Sequence, residues 1–363
     1  VLPETMKYLK ENGVTVKEYE DVEAVLKNMN SETNMLIDSE SINYDLYRIL
    51  KENKNVTVKE GKDTVTYLKG VKNETEIENI KNAHVKDGCA MVEFIVKFKD
   101  MMQKGDKVTE CTVCDMLKEC RGRQENNLGE SFGTIAAYKA NAAMMHYQPQ
   151  PDNCSELKKE GFLLIDSGGQ YLDGTTDITR TFALGTLTDE EKEHYTYVLK
   201  AHIALETAVF LEGCTGSNID ILCREQVWKH GIDYRCGTGH GVGMFSGVHE
   251  GPQNLSLKNN VVFKKGMTIT NEPGIYVEGK YGIRTENIML VTDFTDNEYG
   301  HFLKFEPITY FPIDTAGILT ELLNNDEIKW LNNYHKTVYE KLSPHLAEKE
   351  LKWLKKHTQP ISK

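Results

Sequence analysis

Residues 162–182 read FLLIDSGGQYLDGTTDITRTF, and this stretch decides the fold class. An apolar run, Phe162–Ile165, follows Gly161 and ends at Asp166, just before Gly168-Gly169. A second run, through Ile178, Thr179, Thr181 and Phe182, begins directly after Asp177. Short runs rich in apolar and β-branched residues and bounded by Gly are strand signals, and Asp173-Gly174 supplies a turn between them. Each strand therefore carries an acid at the end nearest the turn. Acids set against apolar strands are unusual, because an ionised carboxylate is rarely buried without a partner.

The pattern repeats further along. Met267–Thr270 reads as a strand running into Asn271-Glu272-Pro273-Gly274, and Gly282–Val291 as the next strand, with Gly279 at the turn and Glu286 within it. Between the two units lies a glycine-rich string, Cys236-Gly-Thr-Gly-His240-Gly-Val-Gly243, where little regular structure is expected. It lacks the Lys-Ser/Thr of a phosphate loop. Its glycines let the backbone come close to a site.

Asp166, Asp177, His240, Glu272 and Glu286 thus form an ordered set of four carboxylates and one imidazole, with no thiol. Hard divalent ions such as manganese prefer this donor set, whereas structural zinc usually takes thiolates. Five ligands exceed the need of one ion that keeps an open position. Two ions sharing bridging carboxylates with a water between them would use all five. Opposite residues of an antiparallel pair lie roughly 4.5–5.5 Å apart. Two facing hairpins would therefore crowd four carboxylates into a small space, and uncompensated like charges raise each other's pKa. Cations resolve that conflict, so the set points to a dinuclear metallohydrolase. The bland alternative is separate turn acids, and Asp173 and Glu278 read that way. His146 and His249 are candidate donors to an oxyanion.

At 363 residues the chain is long enough for one large domain or two smaller ones. Its 39% hydrophobic and 27% charged composition is that of an ordinary globular protein. A net charge of −12 without a strongly basic stretch argues against a nucleic-acid partner. No apolar run approaches the ~20 residues of a membrane span, so no membrane partner is expected. The N-terminus VLPETMKYLKENG is charged where a signal peptide would be apolar, and it lacks an initiator Met, so a fragment or processed form is expected. The eight cysteines read as free thiols of a reducing cytoplasm. The Cys111-x-x-Cys114 pair, with no second CxxC to accompany it, reads as ordinary helix packing.

Helices are expected over Pro3–Glu11, Asp45–Glu52, 73–102 with an end near Gly105, 109–120, 188–211 behind the N-cap Thr188, and 219–230. Strands are expected at Met35–Ile37, Val56–Val58, Ser131–Tyr138 and Ala143–Tyr147, with His146 at a strand end. From Asp326 the tail is helical, anchored by Trp330 and Trp353.

The strings LLIDSGGQYLDGTTDITRTF, CGTGHGVGMFSGVHEGP, ITNEPGIYVEGKYGIRTENI and WLNNYHKTVYEKL closely resemble Xaa-Pro aminopeptidases (aminopeptidase P) of the long, eukaryotic type. These are pita-bread metallopeptidases, alongside methionine aminopeptidase, prolidase and creatinase. The resemblance covers residues 71–363 and implies an α/β fold. Its core would be a curved, six-stranded, mostly antiparallel sheet with two pairs of helices outside and a faint internal twofold repeat. Three divisions follow: 1–70 as the end of a preceding creatinase N-terminal-like α/β domain, 71–313 as the catalytic domain, and 314–363 as a helical extension. The family's first N-terminal domain, which helps restrict access to short peptides, would be missing.

The resemblance implies a dimanganese site, with zinc or cobalt as alternatives. Asp166 would chelate one ion, Asp177 and Glu286 would bridge, and His240 and Glu272 would hold the other, Glu272 also serving as general base for the bridging hydroxide. His146 and His249 would stabilise the tetrahedral intermediate and contact the proline. Arg284 matches a position near the site, and Tyr276 matches with a weaker role. Cys236 departs from the pattern, since many relatives carry an accessory pocket histidine there. The implied reaction is hydrolysis of the bond between an N-terminal residue and a following proline, in short peptides, by a cytoplasmic homodimer. Prolidase is the nearest rival, and the extended tail argues against it. Metal-free creatinase-like enzymes and pita-bread binding modules lose these ligands.

Overall fold

The computed structural model describes all residues from Val1 to Lys363, which divide into two compact units, Val1–Tyr67 and Leu68–Lys363. The first is a thin α/β layer. Helices α1 (Pro3–Glu11), α2 (Val22–Lys27) and α3 (Tyr44–Glu52) accompany strands β1 (Thr33–Ile37) and β2 (Val56–Glu60), which pair in parallel from Thr33↔Val56 to Ile37↔Glu60. Only Ile37, Ile49 and Leu50 are well buried here. Asn53 compensates with side-chain hydrogen bonds from Nδ2 to the carbonyls of Leu26 (2.9 Å) and Met29 (3.2 Å). A helix α4 spans Thr64–Gly70.

The second unit opens with α5 (Glu74–Lys104). Asn73 and Glu76 form a reciprocal capping box at its start, and Gly105, at φ 80°, takes the left-handed conformation that ends it. Its apolar face is buried along Met91, Phe94, Ile95 and Phe98. Each such side chain removed from water contributes about 1.5–3 kcal/mol. Gly88 lets this helix lie against backbone, since a Cβ there would stand 2.2 Å from the Tyr310 carbonyl oxygen.

Helix α6 (Glu110–Gly122) follows, then β3 (Asn127–Glu130) and β4 (Ile135–Tyr138). The 162–182 stretch forms β5 (Phe162–Ser167), a small inserted hairpin of β6 (Gly169–Tyr171) and β7 (Gly174–Thr175), and β8 (Ile178–Ala183). β4, β5 and β8 make one antiparallel sheet in that order. Helix α7 (Asp189–Glu206), β9 (Val209–Leu211) and α8 (Gly216–Trp228) lead to the short strands β10 (Gly239–His240) and β11 (Asn254–Leu255). Then come β12 (Thr268–Asn271), β13 (Gly274–Val277), β14 (Tyr281–Arg284), β15 (Asn287–Asn297) and β16 (Gly300–Pro307). Four of these form a second antiparallel sheet, β12-β15-β16-β9. Thr181 joins β8 to β14, accepting from Arg284 N (3.1 Å) and donating to Arg284 O (2.9 Å). Glu286 N donates to Thr179 O at 3.1 Å, so the sheets meet where the acids lie.

Helices α9 (Asn325–Leu342) and α10 (Glu348–His357) close the chain. Trp330 stacks on Tyr334 at 5.4 Å, and Trp353 stacks on Phe311 at 5.9 Å and on His357 at 4.1 Å, so both tryptophans anchor this region as expected.

Several expected elements differ. Residues 143–147 are not a strand: a 3-10 turn over Lys139–Ala143 leads into bends, and His146 sits in a turn. The cause is tertiary, because Asn141 and Tyr147 are both bound to the buried carboxylate of Glu110. Residues 131–134 lie outside β4. The helix after Thr188 ends at Glu206, where Thr207 Oγ1 bonds back to Ile203 O at 2.7 Å, and Val209–Leu211 joins β16 instead. The strand expected over 282–291 is two strands, broken at Thr285-Glu286. In place of one six-stranded ladder there are a four-stranded sheet, the three-stranded sheets β4-β5-β8 and β3-β6-β7, and the two-stranded pairs β13-β14 and β10-β11.

Candidate active site

Four carboxylates converge because of strand register. Asn271 pairs with Asn287 in the β12–β15 ladder, so Glu272 and Glu286 face each other one position beyond its end. In the other sheet Asp166 pairs with Thr179, not Asp177. Asp177 lies two residues earlier, on the same face as Thr179, and so reaches Asp166 diagonally. The expectation of two equivalent cross-strand pairs therefore holds for the glutamates and needs correction for the aspartates.

His240 is brought in by backbone contact. Its N–H donates to Thr270 Oγ1 (2.9 Å), and Gly239 packs so tightly on β12 that a Cβ would lie 1.9 Å from Thr270 O. Only glycine fits that approach. His240 Nε2 then stands 3.2 Å from Glu272 Oε1 and 3.5 Å from Asp177 Oδ2. Ligand atoms of Asp177, His240 and Glu286 lie within 4.8 Å of one another.

The donors present fit divalent cations. Asp166 Oδ1, Asp177 Oδ1 and Glu286 Oε1 are buried and have no hydrogen-bond partner. Such orphaned oxygens are costly unless a cation satisfies them. The electrostatics agree. Burial, then the charges of Glu286, Asp166 and Glu272, push the Asp177 carboxyl well above the usual range. Burial with the charges of Glu272 and Asp166 raises Glu286 to about 8. Burial opposes protonation of His240, but the hydrogen bond and charge of Glu272 outweigh it and lift the imidazole to about 9. Conversely, His240 overcomes the burial of Glu272 and holds that acid low. Without a cation, the cluster retains protons that a cation would displace.

Arg284 brackets one side of the cluster. Its Nη2 bonds Asp166 Oδ2 (2.5 Å), Nε donates to Thr179 Oγ1 (3.1 Å) and Nη1 to the Tyr276 hydroxyl (2.8 Å). Arg284, Asp166 and Tyr276, with Cys236, His146 and His249, line one cavity of about 620 Å³. The cavity also includes Phe132, Gly133, Gln148, Asn254 and Ser256. The His249 ring lies 3.8 Å from that of His240, and burial followed by the His240 charge keeps it below the usual imidazole value. Both His146 and His249 are exposed at the cavity wall. Burial beside Glu272 pushes the Cys236 thiol up to about 11, so it lines the wall as a neutral group.

Sequence reading missed the supports of the ligands. Thr179 Oγ1 donates to Glu286 Oε2 at 2.7 Å, and Thr270 Oγ1 to Glu272 Oε1 at 3.1 Å. For Thr270 the signal was present, because Thr270-x-Glu272 is an i, i+2 pair and so shares one face, whereas Thr179 reaches Glu286 across 107 residues. Arg180, fully buried, donates to the carbonyls of Thr179, Phe311 and Glu286 and to the Tyr334 hydroxyl, joining the ligand strand to the C-terminal helices. Lys72, lowered to about 8 by burial, donates to Val242 O at 2.6 Å and holds the loop that leads to His249. No sequence pattern signals either contact.

Comparison with known proteins places the chain. The profile of metallopeptidase family M24 matches residues 78–293, that of the C-terminal region of peptidase M24 matches 301–361, and that of a creatinase/prolidase N-terminal domain matches 1–76. A probable Xaa-Pro aminopeptidase P of Laccaria bicolor is 43% identical over 316 residues, covering 83% of this chain and 49% of that protein. Aminopeptidase P1 of Arabidopsis thaliana is also 43% identical, over 324 residues, covering 82% of this chain and 50% of that protein. The chain thus spans about half the length of these relatives. Among solved structures, the X-prolyl aminopeptidase of Caenorhabditis elegans, described as a cytosolic enzyme with a di-nuclear active site, superposes with a TM-score of 0.93 at 33% identity, covering 99% of this chain and 60% of that one. Prolidase from Pyrococcus furiosus gives 0.63 at 25% identity, covering 82% and 80%. The fold is the curved, mostly antiparallel pita-bread architecture expected from the sequence.

Proposed function

The chain belongs to metallopeptidase family M24, and on that premise we propose that it hydrolyses the bond between an N-terminal residue and a following proline. The observation that carries this reading is the set of orphaned carboxylate oxygens gathered with His240 on one wall of an open cavity. Asp166, Asp177, His240, Glu272 and Glu286 would hold two divalent ions, which when bound supply Lewis acidity and make water acidic enough to attack a carbonyl. The oxygen-rich set favours manganese, and zinc and cobalt are the alternatives the test includes.

This chain's own residues do the rest. Glu272, held low beside His240, is ionised near neutrality and accepts the proton of the attacking water. His249 and His146 donate hydrogen bonds to the oxygen of the developing tetrahedral carbon. Arg284 fixes Asp166 and Tyr276 so that the wall facing the substrate does not shift. The neutral Cys236 thiol and Tyr276 shape the same wall. Proline suits such a site because its amide nitrogen carries no hydrogen for the pocket to satisfy.

The reading divides the chain into residues 1–70 as part of a domain ahead of the catalytic one, 71–313 as the catalytic domain, and 314–363 as a helical extension. It places the protein in the cytoplasm as a homodimer. Its eight cysteines are all unpaired, in keeping with a reducing compartment, and no helix is long and apolar enough to cross a membrane. Light scattering tests the dimer.

The deciding experiment is release of the first residue from Arg-Pro-Pro and from a bare Xaa-Pro dipeptide, with manganese, zinc or cobalt and with chelator. Metal-dependent cleavage, faster on the tripeptide, is expected. Preference for the dipeptide would make the protein a prolidase. Absence of both cleavage and metal binding would overturn the enzymatic reading.

A further inference from the structure

One turn of α7 is bonded to both strands that lead to the glutamates of the site. His202 and Glu206, four residues apart and fully buried, share one face of that helix. His202 Nδ1 donates to the carbonyl of Asn271 at 3.1 Å, and the His202 carbonyl accepts from Asn271 Nδ2 at 2.9 Å. His202 Nε2 stands 3.2 Å from Asn287 Nδ2 and 3.2 Å from Glu206 Oε2. Asn287 Nδ2 also donates to Glu206 Oε2 at 3.0 Å. The Asn287 amide faces this way because its oxygen accepts from Arg180 Nη2 at 2.8 Å.

Asn271 and Asn287 form the last paired rung of the β12–β15 ladder, directly before Glu272 and directly after Glu286. Successive side chains of a strand point to opposite faces. The two asparagines accordingly meet α7, while the two glutamates line the cavity. A shift of either strand at this rung would carry a glutamate with it. His202 spans the rung, holding β12 at a backbone carbonyl and β15 at a side-chain amide. Trp330 of α9 packs edge-on against the imidazole at 5.9 Å, so α9 also fixes the plane of the ring.

Buried polar side chains are not what packing alone would select here, since apolar residues of similar volume need no hydrogen-bond partners. A bonded network instead leaves one arrangement with little freedom, which suits ligands that must hold their oxygens at a fixed spacing. We propose that His202 is a positioning residue: it locks the Asn271–Asn287 rung and thereby sets the spacing of Glu272 and Glu286. It acts through the two asparagines, and the inference rests on the dinuclear reading of the site.

The test uses the full chain with manganese alone. Equilibrium dialysis gives the number of ions bound and their affinity. Electron paramagnetic resonance reads the spin coupling between neighbouring manganese ions, which depends steeply on their separation. The wild-type chain is expected to bind two ions that couple. His202→Leu has a similar volume and makes none of the bonds. Its manganese affinity should fall about 10- to 100-fold, and the coupled signal should give way to that of single ions. His202→Asn keeps a donor near the Asn271 carbonyl and should recover part of both. His202→Gln carries the same comparison if the leucine variant does not fold. A residue that only supports the fold would lower the melting temperature and leave the coupling unchanged. That result, or wild-type affinity in a folded leucine or glutamine variant, would overturn the positioning role. Wild-type protein that binds no manganese would overturn the dinuclear reading itself.

Discussion

Glu110 and Glu286 are both buried carboxylates of the same compact unit, and their surroundings differ in kind. Both oxygens of Glu110 are fully used, accepting from Tyr138 N (2.7 Å), Ser155 N (2.7 Å), Tyr147 Oη (2.9 Å) and Asn141 Nδ2 (2.9 Å). It also begins α6, where the helix dipole favours negative charge. Glu286 has one oxygen bound by Thr179 and one by nothing, with other carboxylates crowding it. Neutral donors complete the first environment, and no donor on the chain completes the second. Burial alone therefore does not mark a functional acid. Burial with an unfilled oxygen and like charges nearby does.

The largest effect expected from this contrast is at Glu286. Glu286→Gln should lower kcat/KM on a proline-containing tripeptide by about 10³ or more and reduce bound metal, measured by assay and by metal analysis. In chelated wild-type protein, stability should fall as pH rises. Glu286, raised from 4.5 to about 8, favours the folded state only while it stays protonated, so folding loses support between those values. His240, raised from 6.5 to about 9, contributes fully below 6.5 and loses its contribution as pH rises through 9. Thermal melts from pH 5 to 9 should slope downward without metal, and Glu286→Gln or added manganese should flatten them. A flat apo profile would break the contrast.

Glu110→Gln should act on stability instead. Its amide would confront donors that already point inward, costing about 3 kcal/mol in denaturant titration while metal content is unchanged. Lost metal would show that the two acids are not separate devices. Arg284→Lys keeps the charge but not the three-way fork to Asp166, Thr179 and Tyr276, and should cost about 10- to 100-fold in activity or metal affinity. Smallest is Cys236→His, which adds a polar group to the pocket wall and should shift KM by less than about tenfold with kcat nearly unchanged. A large change in kcat would place Cys236 nearer the reacting atoms than its neutral thiol implies.

Local chemistry made much of the fold legible. Asn73 with Glu76 and Thr188 with Glu191 are reciprocal caps whose spacing announces a helix start, and both form. Apolar runs flanked by glycine announced β5 and β8. The stretch Ala143–Tyr147 misled, because its apolar pattern is held in a turn by Glu110, more than thirty residues away. Val209–Leu211 misled in a similar way, since only β16 reveals it as a strand. The Cys111-x-x-Cys114 pair read as helix packing, and both residues lie in α6. Cys114 packs against the core and donates to Thr134 O at 3.5 Å, as that reading expects.

By itself, the sequence determined which acids lie in or just beyond strand ends, which histidine accompanies them and where the helices begin, because caps, periodicity and glycine act over a few residues. Only the tertiary structure decided that Asp166 opposes Thr179 instead of Asp177, that Glu272 faces Glu286, and that Arg284 and Arg180 clamp their surroundings. Those facts depend on strand register and on contacts between distant segments. Register is set by the packing of the whole sheet, which no short window of sequence contains.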